Sequence, residues 1–145
     1  MRLFFLISFL AAALSGQAQE WQTDLDTAKK LASEQNKPII LVFQGSDWCA
    51  PCIKLDKEIW SSDAFKNYAA DHFIMLKADF PRKRQNRLSD EQQQKNEKLA
   101  EMYNQSGYFP LVCILDENGK KIGETGYKKM SPEEYIQHLE SFIKS

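Results

Sequence analysis

Apolar positions along the chain fall into two periods. From Thr23 to Asn36 they recur at helical spacing: Leu25, Ala28, Leu31 and Ala32 share one face, Thr23 and Asp26 make a capping-box-like start, and Pro38 enforces a stop. Ile39–Phe43 is then an unbroken apolar run, the pattern of a central strand covered on both faces. Ile53, Leu55, Ile59 and Trp60 return to helical spacing, with a break near Ser61-Ser62-Asp63 and a further segment turning Phe65, Tyr68 and Ala69 inward. Residues 73–78 form a second apolar strand, so strand, helix and strand make a parallel βαβ unit with a right-handed crossover.

The second half reads as clearly. Residues 80–90 form a polar loop holding Arg82, Lys83, Arg84 and Arg87. Ser89 with Gln92 can cap a helix that runs to about Asn104, burying Leu99, Met102 and Tyr103, with Gly107 just beyond. Residues 110–115 and 121–123 flank Asp116-Glu117-Asn118-Gly119-Lys120, where Asn-Gly signals a hairpin. Ser131-Pro132-Glu133-Glu134 opens a last helix with an N-cap, a first-turn proline and a capping-box glutamate, burying Tyr135 or Ile136, Leu139, Phe142 and Ile143. There is no internal repeat. The pattern is α/β, a mixed sheet flanked by helices.

The first residues belong to a different pattern. Arg2 precedes an apolar stretch of about 12 residues, shorter than the roughly 18–20 that span a bilayer. Small residues follow at Gly16 and Ala18, which is the layout of a secretory signal peptide with cleavage after Ala18. Residues 1–18 are therefore read as a signal and 19–145 as one domain working outside the cytoplasm, periplasmic or secreted, with no stable membrane insertion after cleavage. No cysteine lies near that boundary to carry a lipid. A formal net charge of −1 over 145 residues gives no electrostatic reason to expect nucleic acid or an anionic membrane surface as a partner.

The chemistry sits between the first strand and its helix, at Ser46-Asp47-Trp48-Cys49-Ala50-Pro51-Cys52. Two thiols at this spacing face the first turn of a helix and can join in a disulfide there. The unpaired N–H groups and partial positive charge of a helix start favour a thiolate. One sulfur is then reactive at neutral pH and the other close enough to resolve what it attacks, which points to thiol–disulfide exchange. Half of a zinc site or an inert structural disulfide is the alternative. Zinc needs about four ligands, and only Cys113, His72, His138 and carboxylates remain, without paired spacing. No metal and no organic cofactor are expected. Cys113, within an apolar strand, reads as a small hydrophobe and a spectator. His72, opening the second strand, and His138, on the last helix, read as surface or packed residues, and Trp21 and Trp60 as core or rim aromatics. The basic cluster at Arg82 reads as a solvated loop, with a docking surface for an acidic partner as the minority reading.

These residues resemble the thioredoxin superfamily over nearly all of residues 19–145. Trp48-Cys49-Ala50-Pro51-Cys52 is similar to the family's Trp-Cys-X-Pro-Cys motif, and Tyr108-Phe109-Pro110 looks like its cis-proline loop. Lys37-Pro38-Ile39-Ile40 and Ser46-Asp47-Trp48 look most like exported members, of the kind of the periplasmic reductase domain of the transmembrane electron-transfer protein. The resemblance implies a thioredoxin fold whose leading strand, around Glu20-Trp21, is short or missing. It makes Cys49 the exposed nucleophile and Cys52 the buried resolving thiol, with Trp48 packed beside the site. It sets Pro110 against the sulfurs in cis and lets the Phe109 backbone pair with substrate. Protein disulfides or dithiols would be the substrates, with a membrane or periplasmic redox partner. Ala50-Pro51 resembles the Gly-Pro of reductive thioredoxins, which favours reduction; a non-catalytic binding or chaperone module with a structural disulfide is the alternative function.

Three departures stand out. Thioredoxin keeps a buried Asp six residues before the first Cys, where this chain has Phe43, leaving Glu58, water or nothing as the base. The family favours a small or β-branched residue where Phe109 stands. Residues 80–94 look like an insertion.

Overall fold

The computed structural model describes residues 19–145. The expected signal segment and its cleavage point lie outside them. Five strands form one sheet in the order β1-β3-β2-β4-β5, from β1 (Trp21–Gln22), β2 (Ile39–Gln44), β3 (Ile74–Asp79), β4 (Leu111–Leu115) and β5 (Lys121–Thr125). The helices are α1 (Leu25–Gln35), α2 (Ala50–Leu55), α3 (Asp63–His72), α4 (Asp90–Tyr103) and α5 (Pro132–Ile143). A π-helical segment, Asp56–Trp60, continues α2, and a single 3-10 turn, Arg84–Asn86, interrupts the polar loop. Among the described residues no helix is long and apolar enough to cross a membrane.

β2 lies at the centre because both its faces are apolar. It runs parallel to β3 from Ile39↔Ile74 to Gln44↔Asp79 and antiparallel to β4 from Ile39↔Leu115 to Phe43↔Leu111. Ile40 and Val42 point to one side, where Leu55, Ile59, Trp60, Phe65, Tyr135 and Leu139 cover them. Ile39, Leu41 and Phe43 point to the other, under Ala28, Ala32 and Leu99. The sheet thus separates α2, α3 and α5 from α1 and α4. The leading strand is short, as expected: β1 pairs only Trp21 and Gln22 with β3.

Local signals mostly act where they are written. Ser62, Ser89 and Ser131 cap α3, α4 and α5, and Ser131 with Glu134 closes a full capping box. Gly119 takes φ 82° in the hairpin, whose Asp116 carboxylate accepts the N–H groups of Asn118 and Lys120. Three expectations fail. Asp24, not Thr23, caps α1, accepting the Thr27 N–H at 2.9 Å, while the Thr23 carbonyl accepts from Gln92. His72 closes α3 rather than opening β3. Met102 is 52% exposed. The buried face of α4 runs through Asn96, Leu99 and Tyr103, and at about 100° per residue Met102 is turned roughly 100° from its centre.

Candidate active site

β2 and β4 bring two loops to the same end of the sheet. Pairing of Phe43 with Leu111 sets the residues after β2 beside those before β4, so Cys49 and Pro110 belong to neighbouring loops. The loop after β2 turns through Gly45, whose carbonyl accepts the Cys49 N–H at 2.9 Å. A Cβ on Gly45 would fall on the Trp48 indole, so glycine there lets the ring lie back over its own loop. Cys49 is the N-cap of α2, and its Sγ accepts the Cys52 N–H at 3.3 Å. The two cysteines are joined in a disulfide, with Cα atoms 5.2 Å apart. An amide aimed at Cys49 Sγ would stabilise its thiolate once the bond is reduced.

The expected difference in exposure is small. Cys49 is 4% exposed and Cys52 2%. Cys49 is therefore almost as covered as Cys52 in the disulfide form. Trp48 and Phe109 meet beside it edge to face at 5.6 Å, and Phe80 packs on Phe109 at 5.5 Å. The Phe109–Pro110 peptide is cis. Asn104, a buried polar side chain, fixes this loop by accepting the Tyr108 N–H and donating to the Tyr108 carbonyl. A third loop closes the mouth: a Cβ on Gly126 would meet the Pro110 carbonyl at 3.3 Å, and the next residue, Tyr127, donates its hydroxyl to Glu58. Pro51 lies exposed in the first turn of α2.

The insertion is tied to the cysteine loop. Asp79 accepts from the Ser46 N–H and hydroxyl, at 2.9 and 2.6 Å, and Trp48 Nε1 donates to the Phe80 carbonyl at 2.7 Å. Asp47 accepts from the N–H groups of Arg82 and Lys83 and from Asn86 Nδ2. Those bonds, the Arg82 N–H first, hold its carboxyl below the usual carboxylate range. Asn96, likewise buried, donates to the Asp79 carbonyl. The guanidinium of Arg82 lies 3.6 Å from the centre of the Trp48 ring. The basic cluster is therefore not only a solvated loop, because Asp47 holds the backbone of its first residue, whose guanidinium lies over the tryptophan next to Cys49. Sequence reasoning assigned no role to Gly45, Asp47, Asp79 or Asn96; the acid directly before Trp-Cys was the one available signal.

Phe43, in the place of thioredoxin's acid, is fully buried on the α1/α4 face and has no ionisable proton. Glu58 is taken up at the surface by Tyr127 and by Lys54 Nζ at 4.0 Å. Cys113 is fully buried on the face of the sheet away from α2, and burial pushes its thiol up to about 12. It stands apart from the pair. Among the described residues no three or more His, Cys, Asp or Glu side chains gather as a metal site.

The thioredoxin-like family model matches residues 20–117, which take in both cysteines and the cis-proline. The chain belongs to that family. It is 35% identical over 125 residues to the disulfide bond reductase DsbH of Chlamydia pneumoniae, covering 86% of this chain and 73% of that one. A solved DsbH oxidoreductase superposes with a TM-score of 0.80 at 34% identity, over 88% of this chain and 86% of that one. The disulfide isomerase of Xylella fastidiosa shares the fold, with a TM-score of 0.60 at 22% identity over 81% of this chain and 87% of its own. With its Cys49–Cys52 pair, this thioredoxin-like protein is a thiol–disulfide oxidoreductase. The family works through such a redox-active disulfide.

Proposed function

We propose that the protein is an exported reductase of protein disulfides. The observation that carries this reading is the Cys49–Cys52 disulfide at the first turn of α2, with Cys49 Sγ facing the Cys52 amide. In the reduced protein the Cys49 thiolate attacks one sulfur of a substrate disulfide. That bond breaks, the other substrate sulfur leaves as a thiolate and takes a proton, and a mixed disulfide holds substrate to Cys49. Cys52 loses its proton and attacks Cys49 Sγ; the second substrate sulfur leaves, and two electrons have passed to substrate. With Phe43 where thioredoxin has an acid, the Cys52 proton goes to water or to the departing thiolate. A membrane or periplasmic dithiol partner then restores the reduced pair.

The reductive direction is supported by the Cys-Ala-Pro-Cys motif and by the 35%-identical relative, a disulfide bond reductase. The pattern of residues 2–18 supports export. Trp48, Phe109 and Pro110 would shape the substrate groove, with Pro51 fixing the first turn between the sulfurs. A second reading, a binding module with a structural disulfide, is favoured by the near-complete burial of Cys49 and by Phe43. Mixing the reduced protein in stoichiometric amount with a disulfide-bonded protein such as insulin separates the two. The reductase loses one equivalent of thiol pair for each substrate disulfide opened. A binding module leaves the substrate oxidised.

A further inference from the structure

We infer that Arg82 is a specificity-determining residue, which receives a carboxylate flanking the reacting cysteine of the substrate; this rests on the exchange reading above. Three observations place it in that role. First, Arg82 lies on the rim of the site, stacked at 3.6 Å on the tryptophan next to Cys49. Stacking uses the flat face of a guanidinium and leaves its edge of N–H donors open for bidentate pairing with a carboxylate.

Second, among the described residues it has no ion-pair partner, and unlike Lys83 and Arg84, which also have none, it lies over Trp48. Lys54, over the Tyr127 ring on the other side of the mouth, is paired with Glu58, and Arg87 in the same strap is paired with Asp90. The ion pairs among the described residues all involve other cations than Arg82. The nearest acids are spoken for: Asp47 receives backbone N–H groups, including that of Arg82 itself, and Asp79 receives Ser46.

Third, the position is preorganised. The bonds from Asp47 and Trp48 fix the strap before any substrate arrives, so little conformational freedom is lost when a carboxylate docks. An insertion that only bridged β3 and α4 would need no such tie to the cysteine loop. Substrate chains with acidic residues beside their disulfide are thus the class this rim selects.

The test compares two disulfide-linked peptide dimers, one with Glu on both sides of its cysteine and one with Gln. Each is mixed with prereduced protein in single turnover, and rates are divided by those for dithiothreitol to remove the peptides' intrinsic difference. The parent protein should prefer the acidic peptide about three- to fivefold at low salt, the range of an exposed ion pair, and the preference should fall towards one at high salt. Arg82→Gln should bring the ratio close to one, Arg82→Lys should keep part of it, and Arg87→Gln, which removes the same net charge, should keep all of it. A parent ratio near one, or an unaltered ratio in Arg82→Gln, overturns the inference while leaving exchange itself standing. Failure to reduce either peptide overturns the exchange reading and this inference with it.

Discussion

Cys49→Ser is expected to bring reduction of a protein disulfide down to the uncatalysed rate, whereas Cys52→Ser stops it one step later with substrate covalently held. A serine hydroxyl is not ionised at neutral pH and forms no mixed disulfide, so nothing replaces the first attack. Without Cys52 that attack still occurs, aided by the amide that reaches Cys49 Sγ at 3.3 Å, but no thiol is left to release the product. Acid-quenched mixtures run without reductant measure both. Cys52→Ser should accumulate an adduct mapped to Cys49, and Cys49→Ser should show none. The nearly equal burial of the two cysteines makes this a real test, since adducts on Cys52 alone would reverse their roles.

Trp60→Ala is the largest expected loss of stability. Trp60 is 2% exposed and ends the π-helical segment, meeting Trp21, Phe65 and Tyr135 edge to face. Truncating a buried tryptophan costs about 3–5 kcal/mol through lost transfer energy and the cavity left behind. That is a large share of the roughly 5–15 kcal/mol that holds a domain folded. The indole N–H of Trp60 has no hydrogen-bond partner among the described residues, so Trp60→Phe also removes a desolvated donor, worth about 1–3 kcal/mol, and should cost much less than the alanine. Urea unfolding of the two variants measures the difference. Equal losses, or a loss below about 1 kcal/mol for Trp60→Ala, would mean that this cluster does not seat the cysteine helix on the sheet.

The contrast between what the sequence predicts and what needs the structure follows from the range of the forces. Ile39–Phe43 has one physical interpretation, because five apolar residues in extended chain need cover on both faces. The serine caps, the capping box at Ser131 and the Asn118-Gly119 turn are likewise decided within a few residues. Thr23 and Met102 each miss by one residue's step: a cap depends on which residue first turns helical, and a buried face on where its centre lies. The Asp47 clasp is harder. Its partners Arg82, Lys83 and Asn86 lie beyond the βα unit, and no periodicity marks a carboxylate for distant backbone N–H groups. Arg82 over Trp48 follows from that clasp, so a cluster read as solvated turns out to border the site. The cysteines were legible for the opposite reason, since four consecutive residues carry the whole geometry of their bond.

The most direct test of reductive exchange is the midpoint potential of the Cys49/Cys52 couple, titrated against dithiothreitol with Cys113→Ala so that only one pair reports. A value near or below thioredoxin's, about −270 mV, is expected for a reductase fed with electrons. A value near about −120 mV, that of a strong disulfide donor, would contradict it.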